Sequence, residues 1–165
     1  MIDIHSHLLP GIDDGSESLD ISLQMARDAV ADGVTHALMT PHHMNGRYVN
    51  HASDVINLTA DFQTELNHAN IPLTVFPSQE VRINGDLLSA LDDGDILTTD
   101  EQGTYILIEF PSDDVPAFTM DMLFQIQQRG LVPIIVHPER NTRLMKEPQL
   151  LYDMVSRGSY AQVTS

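Results

Sequence analysis

The chain has 165 residues, of which 42% are hydrophobic, with no cysteine and a formal net charge of −16. This composition is typical of a globular protein with its own core, and it excludes disulfides, thiolate metal sites and cysteine nucleophiles. The negative charge argues against nucleic acid as a partner, because phosphate backbones bind Lys and Arg. No apolar run reaches the roughly 20 residues of a membrane span, and the first residues lack the basic and apolar stretches expected of a secretory leader. The lack of cysteine fits a cytoplasmic protein, which is the expectation.

Apolar patterns and their stop signals predict an alternation of strands and helices along the chain. Strands are predicted over residues 2–4, 35–40, 73–76, 105–109, 132–136 and 160–164. Helices are predicted with Ser16 or Ser18 as the first cap, with Ser53 as the second, and over residues 86–91, 122–129 and 149–157. The alternation indicates an α/β fold with a parallel sheet, open or closed into a barrel, in a single domain over residues 1–165.

This prediction places several histidine and carboxylate side chains at the ends of strands. They are His5, His7, His42, His43, Glu80, Glu109 and His137. Because active sites of parallel α/β folds are built at the carboxyl ends of the strands, we expect these side chains to meet. His5 and His7 are two residues apart, so both rings face the same way and could hold one metal ion.

Taken alone, the candidate ligands differ in how strongly the sequence supports them. The support for Glu80 is weak, because a surface glutamate at a strand end is common. Glu109 is stronger, because its neighbours on both sides look buried and a buried carboxylate needs a partner or a metal ion. Of the adjacent pair, His42 is nearer the strand than His43 and is favoured to point into the site.

Loop residues near these positions keep more than one interpretation. Asp13 is predicted to be a turn residue, whereas Asp14 could be a metal ligand, a general acid or a turn residue. Arg140 follows His137 by three residues. Its planar guanidinium suits a phosphate, and a salt bridge in solvent is an equal alternative.

Nitrogen and oxygen ligands without sulfur favour Zn, Mn or Fe, and several carboxylates shift this preference toward Mn or Mg. Such a site makes hydroxide from water at neutral pH and neutralises an anionic substrate. The sequence therefore predicts a metal-dependent hydrolase, most naturally a phosphoesterase with Arg140 as a clamp.

Five segments resemble, in order, the motifs of the bacterial PHP-type (polymerase and histidinol phosphatase) protein-tyrosine phosphatases of capsule and exopolysaccharide operons. They are residues 3–15, 40–43, 79–82, 108–111 and 137–141. The resemblance implies a distorted (β/α)7 barrel with up to three metal ions, usually manganese, with Fe, Zn or Mg as alternatives. It also implies a substrate, the phosphotyrosine of a bacterial tyrosine kinase that controls polysaccharide export.

The resemblance further implies a ligand set. His5, His7 and Glu80 would hold the first ion. Glu80 would bridge to the second ion, which Glu109 and His137 would also hold.

The remaining implied roles concern the third ion and the reaction. Asp14 and His42 would hold the third ion, and Asp14 would also give a proton to the leaving phenolate. Metal-bound hydroxide would attack phosphorus while Arg140 steadies the phosphate.

Family members are longer and supply a last Asp-x-His pair near the C-terminus, which residues 1–165 do not contain. The expectation is thus a barrel that lacks its last strand–helix units and that could complete itself as a homo-oligomer. Two alternatives to the tyrosine phosphatase follow. One is a phosphoesterase for a small molecule such as histidinol phosphate, and the other is a truncated remnant that binds metal without turnover.

Overall fold

The structure, a computed structural model, describes residues 1–164, and the chain divides into two compact units. The first unit is Met1–Glu80 and the second begins at Val81. Both contain parallel strands connected by helices, so the predicted α/β class is confirmed. The single domain over residues 1–165 stays a prediction.

The elements follow the predicted alternation, interrupted by two short strands and one short helix that the sequence does not predict. The strands are β1 Ile2–Ser6, β2 His36–Met39, β3 His42–His43, β4 Thr74–Pro77, β5 Glu80–Arg82, β6 Tyr105–Glu109, β7 Val132–Val136 and β8 Tyr160–Gln162. The helices are α1 Leu19–Ala31, α2 Ala52–His68, α3 Leu87–Asp92, α4 Thr119–Gln128, α5 Thr142–Lys146 and α6 Pro148–Ser156, and a 3-10 turn spans Pro138–Arg140. Within residues 1–164, none of the helices is long and apolar enough to cross a membrane.

The first unit contains a parallel sheet in the order β1, β2, β4. Gln63 of α2 ties its helix to this sheet, because its side chain accepts from the Val75 amide at 2.9 Å and donates to the Leu73 carbonyl at 3.1 Å. The register of β1 against β2 shifts between Asp3 and Ser6. Such irregularities re-aim side chains, and this one lies beside His5, close to the end of β1.

The two long helices of the first unit begin in different ways. Ser18 caps α1 as predicted, and its hydroxyl accepts from the Ile21 amide at 3.4 Å. The second helix begins at Ala52, with His51 as its N-cap and no side-chain cap bond. The predicted cap Ser53 is therefore wrong, because the His51 carbonyl already accepts the first helical amides and Ser53 lies inside the first turn.

The second unit contains β6, β7 and β8 as parallel neighbours in that order. The predicted bounds of β6 and β7 are the observed ones. Their side chains Leu107, Ile134 and Val136 form a buried cluster, with Tyr105 packed against it. Burial of this apolar surface stabilises the strand pair that ends at Glu109 and leads into His137.

Two short strands are absent from the sequence prediction. β3 has two residues and β5 has three, which is too short for a period-2 pattern to stand out. β4 ends at Pro77, which has no amide hydrogen to donate, and Glu80 opens β5 instead of ending the strand before it. The expectation that Glu80 ends a strand is therefore wrong.

Candidate metal centre

In the first unit, two predicted histidine ligands approach one carboxylate oxygen of a third predicted ligand, Glu80. Glu80 Oε2 lies 3.0 Å from His5 Nε2 and 3.1 Å from His7 Nε2. The two imidazole nitrogens are 3.3 Å apart. The Glu80 side chain is fully buried, and the candidate ligand atoms of these residues lie within 4.8 Å of one another. The structure thus brings together the set that the resemblance assigns to the first ion.

The backbone between the two histidines is fixed by Thr40. The Thr40 hydroxyl donates to the Ser6 carbonyl at 3.0 Å and accepts from the Ser6 amide at 3.0 Å. The Ser6 hydroxyl donates to the Leu38 carbonyl at 2.6 Å. Because Ser6 separates His5 from His7, these bonds hold the segment from which both rings project.

Asp13 contributes to this cluster in a way that the sequence prediction misses. Its Oδ1 accepts from the Gly15 amide at 2.9 Å, which is the turn bond that the sequence indicates. Its Oδ2 lies 2.7 Å from His7 Nδ1 and accepts from the His42 amide at 3.2 Å. A carboxylate behind a metal-binding histidine fixes the ring orientation and its tautomer. The only signal in the sequence is the position of Asp13 six residues after His7, and its turn composition hides that signal.

The hydrogen bonds of His7 provide a test of whether a metal fits. His7 Nδ1 donates its hydrogen to Asp13, so in the neutral ring Nε2 carries a lone pair. That lone pair faces Glu80 Oε2 at 3.1 Å, and two electron-rich atoms repel each other. A metal ion or an additional proton between them replaces this repulsion with attraction. The residues therefore fit a cation, and imidazole with carboxylate suits Mn, Zn or Fe.

The charge state of His7 gives a prediction for the chain without metal. Burial alone would lower the His7 pKa, but hydrogen bonds to Asp13 and Glu80 outweigh it and raise the pKa from 6.5 to about 10. Because the pKa of His7 is higher in the folded chain than in the unfolded chain, protonation of His7 stabilises the fold. This stabilisation is complete below pH 6.5 and is lost as the pH rises through about 10. We expect the urea midpoint of metal-free chain to fall over this range and to fall less in Asp13→Asn. A midpoint that stays level in the wild-type chain would contradict the prediction.

The orienting role of Asp13 gives a second prediction. Asp13→Asn removes the negative charge that holds the His7 tautomer while keeping the size of the side chain. We expect the affinity for Mn²⁺ to fall about 10- to 100-fold, as measured by calorimetric titration. Asp32→Asn, at the C-cap of α1, is the matched control and should bind Mn²⁺ as the wild-type chain does. Equal affinity in the two variants would leave Asp13 with only its turn role.

A second group of candidate ligands adjoins the first and shares His7 with it. His42 Nδ1 lies 3.2 Å from Glu80 Oε2, and His42 Nε2 lies 3.2 Å from Asp14 Oδ1. His7, Asp14 and His42 also offer ligand atoms within 4.8 Å of one another. The Asp14 side chain is 57% exposed, so solvent or a substrate can reach it.

His43 has different surroundings from His42. Its side chain is buried, and Nδ1 accepts from the Asn50 amide at 3.2 Å. Its ring meets His51 edge-on at 5.8 Å. The geometry thus agrees with the preference for His42, and His43 helps to fix the loop that follows β3.

The second unit holds the other predicted site residues. Glu109 is buried at the end of β6, and its Oε2 accepts from Arg82 Nε at 2.9 Å. His137 follows β7 with φ 33° and ψ 53°, a left-handed conformation that costs energy outside glycine. Its amide donates to the Gln162 carbonyl at 2.8 Å. Arg140 ends the 3-10 turn and is exposed. Arg82 is a counter-ion for Glu109 that the sequence prediction does not include.

Comparison with known proteins finds relatives along the whole chain. Tyrosine-protein phosphatase YwqE from Bacillus subtilis is 41% identical over 165 residues, which are 100% of this chain and 65% of the relative. Tyrosine-protein phosphatase CpsB from Streptococcus pneumoniae is 26% identical over 165 residues, which are 68% of the relative. CapC from Staphylococcus aureus is 32% identical, and 64% of it is covered. This chain therefore spans about two thirds of the length of these relatives.

A solved structure is similar to almost the whole chain. It comes from a study of YwqE from Bacillus subtilis and CpsB from Streptococcus pneumoniae, described there as unique metal-dependent tyrosine phosphatases. The TM-score is 0.94 at 40% identity, over 99% of this chain and 66% of the other. The sequence profile of the capsular polysaccharide synthesis CpsB/CapC family matches residues 1–165. The chain belongs to the CpsB/CapC family of capsular polysaccharide synthesis.

Proposed function

We propose that the chain is a metal-dependent protein-tyrosine phosphatase that hydrolyses phosphotyrosine on a bacterial tyrosine kinase regulating capsular or exopolysaccharide synthesis. The observation that carries the proposal is the buried Glu80 oxygen within 3.0 Å of His5 and 3.1 Å of His7. The names of the relatives support the activity, since YwqE and CpsB are both named tyrosine-protein phosphatases.

We propose manganese as the metal, in up to three ions, with Fe, Zn or Mg as alternatives. When bound, such ions supply a hydroxide nucleophile at neutral pH and neutralise the charge of the phosphate. His5, His7 and Glu80 are the proposed ligands of one ion. Asp14 and His42 are those of another. Glu109 and His137 stay predicted ligands on the strength of the resemblance.

Other side chains are proposed to act on the substrate itself. Asp14 is exposed beside His42, and the resemblance assigns to its carboxyl group the transfer of a proton to the oxygen of the leaving phenolate. Arg140 has five N–H donors in a planar fork, which suits two oxygens of a phosphate. Both roles come from the resemblance and from the chemistry of the side chains.

Release of phosphate from a phosphotyrosine peptide tests the function. We expect the Mn²⁺-loaded chain to release phosphate, EDTA to stop the release, and added Mn²⁺ to restore it. The Glu80→Gln variant is the control for a contaminating phosphatase and should stay inactive with Mn²⁺. If wild-type chain releases phosphate only from a small molecule such as histidinol phosphate, the substrate assignment is wrong. If it releases none from either substrate, the activity is wrong for this chain.

Several finer statements stay predictions. They are the distorted (β/α)7 barrel, the tyrosine kinase as partner, the homo-oligomer and the cytoplasmic location. Co-purification of the chain with a phosphorylated bacterial tyrosine kinase would test the partner, and Asp14→Asn should retain the kinase longer if Asp14 acts in turnover.

A further inference from the structure

The loop after β3 is built so that it presents an aromatic ring and a guanidinium next to the candidate metal centre. The Tyr48 ring stacks on the His42 ring, with centroids 6.3 Å apart and planes 12° apart. The Arg47 guanidinium lies over the Tyr48 ring, with its Cζ 5.0 Å from the ring centroid. Arg47 therefore contacts the same aromatic ring that stacks on a proposed metal ligand.

The backbone of this loop is fixed, so the arrangement does not depend on the two side chains alone. The Asn45 side chain accepts from the amides of Arg47 at 3.0 Å and Tyr48 at 2.8 Å. Its neighbour Gly46 has φ 87°, a conformation that favours glycine and closes the turn. At the other end, the Asn50 side chain donates to the His42 carbonyl at 2.8 Å. The loop is held at both ends.

The charge of Arg47 stands out in this part of the chain. Arg27 and Arg47 are the only Lys or Arg among residues 1–80. Arg47 is exposed, and within the part of the chain that the structure describes no carboxylate forms an ion pair with it. Contact with an aromatic face leaves the N–H groups of a guanidinium free to bind an anion at its edge.

We propose that Arg47 binds an anionic oxygen of the substrate, held in position by Tyr48 beside the metal centre. The inference rests on the proposed phosphatase function and adds a specificity-determining residue to it. Two sources supply such an oxygen in a phosphotyrosine peptide. One is the phosphate that reacts, and the other is a carboxylate flanking the tyrosine.

The alternative is that Arg47 only packs on Tyr48 and stabilises the loop. Three substrates separate these possibilities when Arg47→Gln is compared with wild type. They are a phosphotyrosine peptide with acidic flanks, one with neutral flanks, and p-nitrophenyl phosphate. Arg27→Gln, an exposed position on α1, is the matched control because it removes the same charge from the same unit.

We expect Arg47→Gln to raise KM about 3- to 10-fold with little change in kcat, because an exposed charge contact contributes to binding more than to the chemical step. An increase in KM confined to the acidic peptide identifies a flanking carboxylate as the group that Arg47 binds. An increase in KM with all three substrates identifies the reacting phosphate as that group. Arg47→Lys should recover part of the loss in either case. The inference is overturned if Arg47→Gln and Arg27→Gln have the same KM for every substrate.

A binding assay that requires no turnover separates the test of Arg47 from the test of phosphatase activity. The probe is the acid-flanked peptide with a non-hydrolysable phosphonate in place of the phosphate, and the readout is fluorescence anisotropy with Mn²⁺-loaded chain. A Kd that rises about 3- to 10-fold in Arg47→Gln supports the inference even if wild-type chain releases no phosphate. An unchanged Kd, or no binding by the wild-type chain, overturns it.

Discussion

Glu80→Gln is expected to lower the affinity of the chain for Mn²⁺ by at least about 100-fold, which exceeds the loss typical of an outer-shell substitution. The carboxylate is fully buried, and Oε2 is the atom on which His5, His7 and His42 converge at 3.0–3.2 Å. Glutamine has the same shape but brings no negative charge. The variant therefore removes the anionic ligand of the group that Glu80 forms with His5 and His7, and it leaves the volume of the site unchanged.

The measurement is calorimetric titration with Mn²⁺, together with the shift in melting temperature that Mn²⁺ produces. A ligand that binds only the folded chain at about 100 times its Kd adds about 2.7 kcal/mol of stability, and the variant should lose this gain. Glu17→Gln is the matched control, because it removes the same charge at an exposed position of the same unit. A Glu80→Gln variant that binds Mn²⁺ as tightly as Glu17→Gln would remove Glu80 from the ligand set.

The sequence predicts those features that repeat along the chain. The apolar runs of β6 and β7 are five residues long and stand out clearly in the sequence, so their predicted bounds agree with the structure. His5 and His7 are found together because alternation along an extended chain is a local property. Their meeting with Glu80 is not local, and only the positions of polar residues beside predicted strands, together with the family resemblance, made it an expectation.

Other features depend on contacts that no local pattern records. Asp13 forms the turn bond that its residue type predicts and also contacts His7 and His42, and the second role is invisible until the chain is folded. The left-handed conformation of His137 is equally hidden, since histidine gives no sign of a positive φ. The short strand β5 changes the place of Glu80 from the end of one strand to the start of another. None of these three features follows from a local pattern in the sequence.

Gly15 shows how closely the loop after β1 packs on the candidate metal centre. A Cβ at this position would overlap both Cβ and the carbonyl oxygen of His7, and it would also approach the Asp13 side chain. The φ of Gly15 lies outside the left-handed region, so the need for glycine here is one of space. The loop is also bound to His7 by the backbone, because the Ser16 amide donates to the His7 carbonyl at 3.2 Å.

Gly15→Ala is therefore expected to move His7 or the loop, since backbone atoms cannot yield as a flexible side chain does. We expect a loss of about 1–3 kcal/mol in the free energy of unfolding, the usual cost of overpacking. We also expect about a 100-fold loss of Mn²⁺ affinity, because a shift of about 1 Å is enough to disable a preorganised site. Gly85→Ala is the control, because a Cβ at Gly85 meets no atom within 4 Å and its φ is not positive. If Gly15→Ala binds Mn²⁺ and unfolds as Gly85→Ala does, the loop can relax away from His7, and the close packing of Gly15 does not position the ligand.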